Sequence, residues 1–310
     1  MANERFRKTA AARSIAVASR KGGVGKTFAA INIAICAATG GPDGDRPKLK
    51  VLFVEADSQQ NSSYYFLKHF GAEVVGQKVI LPPNPDCPEG KIYNISDNIA
   101  GNAYMEYPTQ WENLYIIPSD GRIDKLQEVV KSDLDRFDEA TINKYVTQVF
   151  NTLIEEVQDD YDLIVFDTPP SKTFASQGAI AASSDCLVVA NPDAFCALNG
   201  VPGTISDIDM NNKTIRGQGN ETNIIGILMN KVSSLRPTQH EKEHIRTMRK
   251  QFPQYVRNEL VMCNYVSFNT EIPQSPNELE WMRHPQARQQ MTNFYNHIAN
   301  TTLADIYSGK

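Results

Sequence analysis

The sequence lacks the features that mark several classes of protein. No run of apolar residues approaches the roughly 18 that a membrane-spanning helix needs. The first apolar run, Ser14–Ser19, is too short for the core of a signal peptide. The five cysteines among 310 residues form no C-x-x-C pair, which disfavours a disulfide framework or a structural zinc site and favours a reducing cytoplasm. The net charge of −5 excludes a polycation as a whole.

The composition is that of a soluble globular protein, and short apolar runs alternate with helical patterns along the chain. Most of these runs are continuously apolar, which is typical of strands buried on both faces of a parallel sheet. We therefore predict an α/β fold with a doubly wound, mostly parallel sheet flanked by helices. The predicted strands are 14–19, 50–55, 114–118, 163–167, 186–191, 223–229 and 259–263. The predicted helices are 25–39, 61–70, 123–130, 139–158, 175–183, 198–210 and 237–252.

The chain shows no composition break that would divide it into two domains. We expect one domain over residues 14–310, preceded by a basic N-terminal arm at residues 1–13. The polar stretch 211–223 and the Gly- and Pro-rich stretch 40–48 are predicted loops. Four prolines between residues 71 and 91 predict an excursion over the surface.

A phosphate-binding loop follows the first predicted strand. The segment K-G-G-V-G-K-T comprises Lys21, Gly22, Gly23, Val24, Gly25, Lys26 and Thr27. Its glycines allow several backbone N–H groups to point at one anion, and the start of the next helix adds more donors. Lys26 is expected to bind the β- and γ-phosphates, and the hydroxyl of Thr27 to ligate Mg²⁺. The first glycine of the usual pattern is Arg20, and a second lysine, Lys21, follows it.

This motif resembles the deviant Walker A motif of the ParA/MinD family of P-loop ATPases. In that family the additional lysine, here Lys21, enters the nucleotide site of a second subunit. The resemblance implies ATP and Mg²⁺ as cofactors, catalytic roles for Lys21 and Lys26, and a homodimer that forms on ATP. Phe28 occupies the position of a second threonine, so only its backbone N–H is expected to contact the nucleotide. Residues 71–91 look like an insertion relative to the family.

Two carboxylates follow apolar strands at the edge that would face this loop. V-L-F-V-E-A-D-S-Q-Q-N is similar to the family segment whose second aspartate, here Asp57, positions the attacking water and lies near the metal. The family's first aspartate is Glu55 in this chain. Y-D-L-I-V-F-D-T-P-P resembles the Walker B region, whose aspartate is Asp167. A carboxylate after five apolar residues is costly to bury unless a cation or hydrogen bonds compensate, so we expect Asp167 near Mg²⁺. For Asp57, a helix cap at the strand end is the alternative.

Asn230 ends a later apolar strand, and the resemblance implies that it binds the edge of adenine. An amide offers both a donor and an acceptor, which matches N6 and N1 of that base. A turn-forming asparagine is the alternative.

The region 231–257 carries seven Lys or Arg against two Glu, whereas the chain as a whole is acidic. A solvated helix face is the simplest interpretation. Sequence-independent DNA binding is the alternative that the family resemblance supports. The expected DNA contacts are Arg236, Lys242, Arg246, Arg249 and Lys250.

Two functions remain open. A ParA-type partition ATPase would bind non-specific duplex DNA as an ATP dimer. A ParB-like centromere-binding or adaptor protein would then stimulate ATP hydrolysis and so release the ATPase from the DNA. Repeated cycles of this kind would segregate plasmid or chromosome DNA. This predicts a cytoplasmic, nucleoid-associated protein. The alternative is a MinD-like or cargo-positioning ATPase that uses a membrane or the nucleoid as its matrix. The residues 301–310 lack a basic amphipathic pattern, which favours the ParA type and predicts no membrane partner.

Overall fold

The computed structural model describes residues 11–76, 78–87, 90–99, 104–124, 139–170, 172–216, 219–233, 237–263 and 285–308. Several predictions concern residues outside this set. These predictions are the N-terminal arm before residue 11, most of the helix 123–130, and the DNA contact of Arg236. In the described part, all five cysteines are buried and free. No described helix is long and apolar enough to span a membrane.

The strands of the described chain alternate with helices, as the apolar runs predicted. They are β1 (Arg13–Ala18), β2 (Val51–Glu55), β3 (Glu73–Val75), β4 (Lys78–Ile80), β5 (Tyr107–Pro108), β6 (Leu114–Ile117), β7 (Leu163–Asp167), β8 (Asp185–Ala190), β9 (Asn223–Val232) and β10 (Val261–Cys263). Eight of them form one sheet in the order β10-β9-β8-β1-β7-β2-β6-β5. Every described pair in this sheet is parallel except β5 with β6.

The central strands are buried along their whole length, since helices cover both faces of the sheet. Every residue of β2, β7 and β8 is buried, which explains why these strands read as continuous apolar runs. The strand β1 lies between β7 and β8, in the middle of the sheet. The residues that follow β1, β2, β7 and β9 therefore share one edge, where α/β folds bind ligands.

The described helices are α1 (Lys26–Thr39), α2 (Asn61–Leu67), α3 (Ile95–Ile99), α4 (Glu139–Val157), α5 (Phe174–Ala182), α6 (Val201–Asn211), α7 (Gln239–Gln251), α8 (Pro285–Thr301) and α9 (Ala304–Ser308). Six of the described helices, α1, α2 and α4–α7, lie where helices were predicted, with ends within a few residues, whereas α3, α8 and α9 were not among the predicted helices. A π-helical turn, Cys196–Gly200, leads into α6.

The predicted loop 211–223 is partly wrong, because a second π-helical turn, Asn212–Arg216, extends α6. The hydroxyl of Thr214 donates to Met210 O at 2.8 Å, and the guanidinium of Arg216 donates to Ala181 O at 2.7 Å. These contacts hold a polar segment in a helical turn, although the polar residues themselves indicated a loop.

The stretch 71–91 runs over the surface as expected, and it contains a hairpin that the sequence did not indicate. Strands β3 and β4 pair antiparallel with each other, apart from the main sheet. Val74 and Val75 are exposed. Because the hairpin is mostly exposed, its residues show no alternation of apolar and polar side chains.

Candidate functional site

The loop between β1 and α1 lies at the carboxyl end of the central strand of the sheet. Gly25, the residue before α1, has φ of 95°. A Cβ atom there would lie 2.1 Å from Asn230 Nδ2, so only glycine fits. In the described chain no side chain caps the start of α1. The first N–H groups of this helix are thus available to an anion, as the sequence predicted.

Lys26 is held inside the mouth of this loop. Its side chain is buried. Burial lowers the pKa of the Lys26 ammonium, while the charges of Asp167 and Asp57 oppose that shift. The charges of these two carboxylates therefore act on the ammonium, but they do not cancel the effect of burial on its pKa. The arrangement leaves a buried cation that phosphate oxygens would stabilise further.

Asp167 ends β7 in complete burial, and only one of its oxygens has a described protein partner. Ser62 Oγ donates to Asp167 Oδ2 at 2.7 Å, and the hydroxyl of Thr27 also hydrogen-bonds this carboxylate. Asp167 Oδ1 is buried without a described partner. Burial raises the pKa of Asp167 to about 6, despite the hydrogen bonds from Ser62 and Thr27. A buried carboxylate with an unused oxygen beside a threonine hydroxyl is a suitable position for a divalent cation.

Asp57 lies in the turn after β2, on the same edge of the sheet. Its Oδ1 accepts a hydrogen bond from Gln59 N at 3.0 Å. Burial raises the pKa of Asp57 above its ordinary value, although the Gln59 N–H and the Lys26 charge act in the opposite direction. A carboxylate with a raised pKa is a better proton acceptor, which suits a group that orients water.

Glu55 is a site residue whose partners the sequence did not reveal. It is fully buried beside Asp167 in the next strand. Its carboxylate accepts from Ser62 N at 2.7 Å and Ser63 N at 3.0 Å, and also from the Ser63 hydroxyl. Glu55 thereby fixes the start of α2, which carries Ser62 to Asp167.

Asn230 and Lys231 hold the phosphate loop from β9. Asn230 Nδ2 donates to Val24 O at 2.8 Å, and Lys231 Nζ donates to Gly23 O at 2.7 Å. Asn230 Oδ1 is buried and has no described partner. The amide thus supports the loop with its nitrogen and leaves its oxygen available as an acceptor. The sequence predicted a contact with a base here, but not the contact with the loop.

Arg20 and Lys21 attach the loop to the segment that contains α6. Arg20 makes a two-point contact with Asp207, at 2.7 Å from Nε and 2.6 Å from Nη2. A Cβ atom on Gly203 would lie 2.4 Å from Arg20 Nη1, so this glycine makes room for the guanidinium. Lys21 Nζ contacts Asp193 Oδ2 at 2.5 Å. The partners of both basic residues lie more than 170 positions away in sequence, where no spacing rule reveals them.

The helix α7 presents the predicted basic residues to solvent. It begins with a capping box in which Thr238 and Glu241 bond each other's backbone. Glu241 also accepts from Ser233 N at 2.8 Å, which joins the helix to the end of β9. Met248 is its one buried residue in the described structure. The exposed basic side chains are Lys242, Arg246, Arg249 and Lys250.

The chain is similar in sequence to a known domain family and to curated proteins. The family model AAA_31, an AAA domain, matches residues 12–222. The virulence plasmid ParA family protein pGP5-D of Chlamydia psittaci is 28% identical over 186 residues, which is 60% of this chain and 60% of that protein. The chain thus spans about 60% of that relative's length.

Two solved structures share the fold. A complex of Cyanothece McdA(D38A) with ATP has a TM-score of 0.67 at 19% identity, covering 93% of this chain and 96% of the other. The septum site-determining protein MinD of Pyrococcus horikoshii, complexed with Mg-ADP, has a TM-score of 0.59 at 17% identity, covering 96% and 98%. The family match shows that the chain belongs to the AAA_31 family, an AAA domain, and its similarity to ParA-family and MinD proteins extends to the overall fold.

Proposed function

We propose that this chain binds ATP with Mg²⁺ and hydrolyses it to ADP and phosphate. The observation that carries the proposal is the buried Asp167 carboxylate, which has one oxygen without a described partner and lies beside Thr27 and Lys26. No group of three His, Cys, Asp or Glu that could hold a metal occurs among the described residues. Mg²⁺ commonly binds through one or two protein ligands together with phosphate oxygens, so this donor set fits it.

Each residue of the site has a distinct role in this proposal. The N–H groups of the loop and the Lys26 ammonium bind the phosphates, while Thr27 and Asp167 hold the cation. When bound, Mg²⁺ would neutralise charge on the phosphates. Asp57 orients the attacking water and accepts its hydrogen bond. Chemistry of this kind depends mainly on positioning and on charge stabilisation.

Asn230 would select adenine. Its buried Oδ1 is the free acceptor that the amino group of adenine requires, while the bond to Val24 O fixes the orientation of the amide. Guanine presents a carbonyl oxygen at that place, and two acceptors would face each other. The backbone N–H of Phe28 remains a candidate contact to the phosphates.

ATP binding is proposed to bring two copies together, each giving Lys21 to the nucleotide of the other. Lys21 is partly exposed at the mouth of the loop, next to the exposed Gly22 and Gly23. A two-fold interface would use this same face on both copies. In the Lys21→Ala protein, nucleotide binding should persist and dimerisation should be lost, as measured by light scattering.

The dimer is proposed to bind duplex DNA without reading its sequence and to act in partition with a ParB-like partner. The exposed basic residues of α7 support this, because a lysine- and arginine-rich face contacts phosphates. Two copies would double this basic surface. Because ATP binding is proposed to bring the copies together, DNA affinity would depend on bound ATP. Each phosphate contact contributes about 0.9 to the log–log dependence of affinity on salt.

The test measures ATP hydrolysis with and without duplex DNA, and DNA binding as a function of salt with ATP. We expect the triple variant Arg246→Ala, Arg249→Ala, Lys250→Ala to dimerise normally and to show a shallower salt dependence. If its affinity and salt slope match the wild type, α7 is not the DNA site. Sedimentation with anionic lipid vesicles tests the MinD-like alternative, and vesicle binding with no DNA binding would favour it. A protein without ATP hydrolysis under any of these conditions would contradict the proposal.

A further inference from the structure

The first turn of α2 places one serine between two buried carboxylates on neighbouring strands. Glu55 in β2 lies opposite Asp167 in β7, and both residues are fully buried. Ser62 N donates to Glu55 Oε1 at 2.7 Å, and Ser62 Oγ donates to Asp167 Oδ2 at 2.7 Å. The backbone of Ser62 is thus fixed by one carboxylate, while its hydroxyl holds the other.

The turn that precedes α2 sets the position of Ser62. Gln60, the residue before the helix, has φ of 57°, and its side chain does not cap the described start of the helix. Its Nε2 instead donates to Ser119 O at 2.8 Å, which joins this turn to the segment after β6. The carboxylate of Glu55 takes the place of the cap, because it accepts from Ser62 N and Ser63 N. The fold of the backbone therefore brings the Ser62 hydroxyl to one place.

The two oxygens of Asp167 have unequal surroundings. Oδ2 accepts from Ser62, whereas Oδ1 is buried and has no partner among the described residues. The last torsion of an aspartate side chain is broad, so an unrestrained carboxylate readily turns and exchanges its oxygens. The bond from Ser62 removes this freedom, because it fixes one oxygen and leaves the other in a single orientation.

We propose that Ser62 is a positioning residue for Mg²⁺, whose hydroxyl fixes the Asp167 carboxylate so that Oδ1 is available to the cation. The inference rests on the metal site put forward under the proposed function, and it adds a residue that acts through Asp167 alone. Groups that orient a metal ligand by a hydrogen bond contribute strongly to binding, and their removal typically lowers metal affinity by about 10- to 100-fold.

Ser63 provides a matched control at the next position of the same helix. Ser62 and Ser63 are both fully buried, and the backbone N–H of each donates to Glu55. The hydroxyl of Ser63, however, donates to Glu55 and accepts from Ser119 N at 3.1 Å, and no described bond joins it to Asp167. Ser62→Ala and Ser63→Ala each remove one buried hydroxyl from α2, but only the first releases Asp167. A role in packing alone would make the two variants alike.

The affinity of the ADP complex for a divalent cation is measured with Mn²⁺, which prefers the same oxygen ligands as Mg²⁺. Electron paramagnetic resonance reports the free Mn²⁺, and displacement by Mg²⁺ shows that both ions share one site. ADP is used because it binds without turnover. We expect Ser62→Ala to weaken Mn²⁺ binding by about tenfold or more, and Ser63→Ala to stay within about a factor of two of the wild type.

Calorimetry of ADP binding without metal supplies a second measurement. Both variants should match the wild type within about a factor of two, because the loop and Lys26 still bind the phosphates. Thermal unfolding checks that each variant is folded. If Ser62→Ala does not fold, Ser62→Cys tests the same point, since a thiol fills the space of the hydroxyl but is a weak donor.

Equal metal affinities for Ser62→Ala and Ser63→Ala overturn the positioning role, whether both match the wild type or both fall. Wild-type metal affinity in Ser62→Cys overturns it as well. In these cases a wild-type ADP complex that binds Mn²⁺ and releases it to Mg²⁺ leaves the proposed function standing. A wild-type protein that binds ADP but no divalent cation instead contradicts the metal site of the proposed function itself.

Discussion

The contact between Arg20 and Asp207 predicts an unequal response to the removal of its two members. The side chain of Arg20 is 39% exposed and that of Asp207 only 9%. Arg20→Ala would leave a buried carboxylate without its two donors and would empty the space that Gly203 provides. Asp207→Ala would leave a guanidinium that water already reaches. We therefore expect Arg20→Ala to cost more stability than Asp207→Ala.

The magnitudes follow from the exposure of each group. A buried charged acceptor that loses its partner costs about 1–3 kcal/mol. Because Arg20 is more than a third exposed, solvent screens part of the pair, and the free energy of unfolding should fall by about 2 kcal/mol for Arg20→Ala and about 1 kcal/mol or less for Asp207→Ala. For a chain of this size each kcal/mol lowers Tm by roughly 2 °C.

Urea unfolding followed by circular dichroism measures both free energies. Arg288→Ala is the control, since the side chains of Arg288 and its partner Asp43 are 47% and 42% exposed, and an exposed pair contributes little. The reasoning is refuted if Asp207→Ala destabilises the protein as much as Arg20→Ala, or if the control costs as much as either.

Three further predictions concern the nucleotide site. Lys26→Gln should lower ATP affinity by about tenfold or more in calorimetry, because the buried cation beside the phosphates is lost; an affinity within a factor of two of wild type would contradict this. Asp57→Ala should slow hydrolysis by about 100-fold while ATP affinity, measured on the same samples, changes little; wild-type turnover would remove Asp57 from catalysis. Gly25→Ala should abolish nucleotide binding, since its Cβ would lie 2.1 Å from Asn230 Nδ2 at φ of 95°, whereas Gly44→Ala, with open space around the Cβ, should retain it.

The sequence could predict the sheet and the phosphate loop because their signals are local. Apolar runs followed by Asp57 and Asp167 indicated buried parallel strands with carboxylates at one edge, and the structure pairs β2 with β7 in parallel, with Glu55 opposite Asp167. The hairpin of β3 and β4 gave no such signal, because burial imposes little pattern on a segment that is mostly exposed. The short strand β5 is two residues long and gave none either.

The contacts that support the loop could not be predicted, because they join residues distant in sequence. The sequence showed glutamate at position 55, where the resembled motif has aspartate. The hydrogen bonds of Glu55 with Ser62 and Ser63 depend on where α2 begins, which the motif does not indicate. Asn230 was visible as a polar residue at a strand end. Only the folded chain shows that its nitrogen supports the loop and its oxygen stays available.

The contacts that hold the phosphate loop differ in how far water reaches them. Substitutions that break them should therefore have different effects. Asn230 and Asp207, the carboxylate that binds Arg20, are buried, so the loss of their contacts leaves buried polar groups without partners and should be measured as lost stability or lost nucleotide binding. The pair of Lys21 with Asp193 is open to water at both ends, so breaking it costs little in the monomer. Substitutions at the buried contacts should thus alter folding and ATP affinity, whereas those at the exposed contact should alter association between copies.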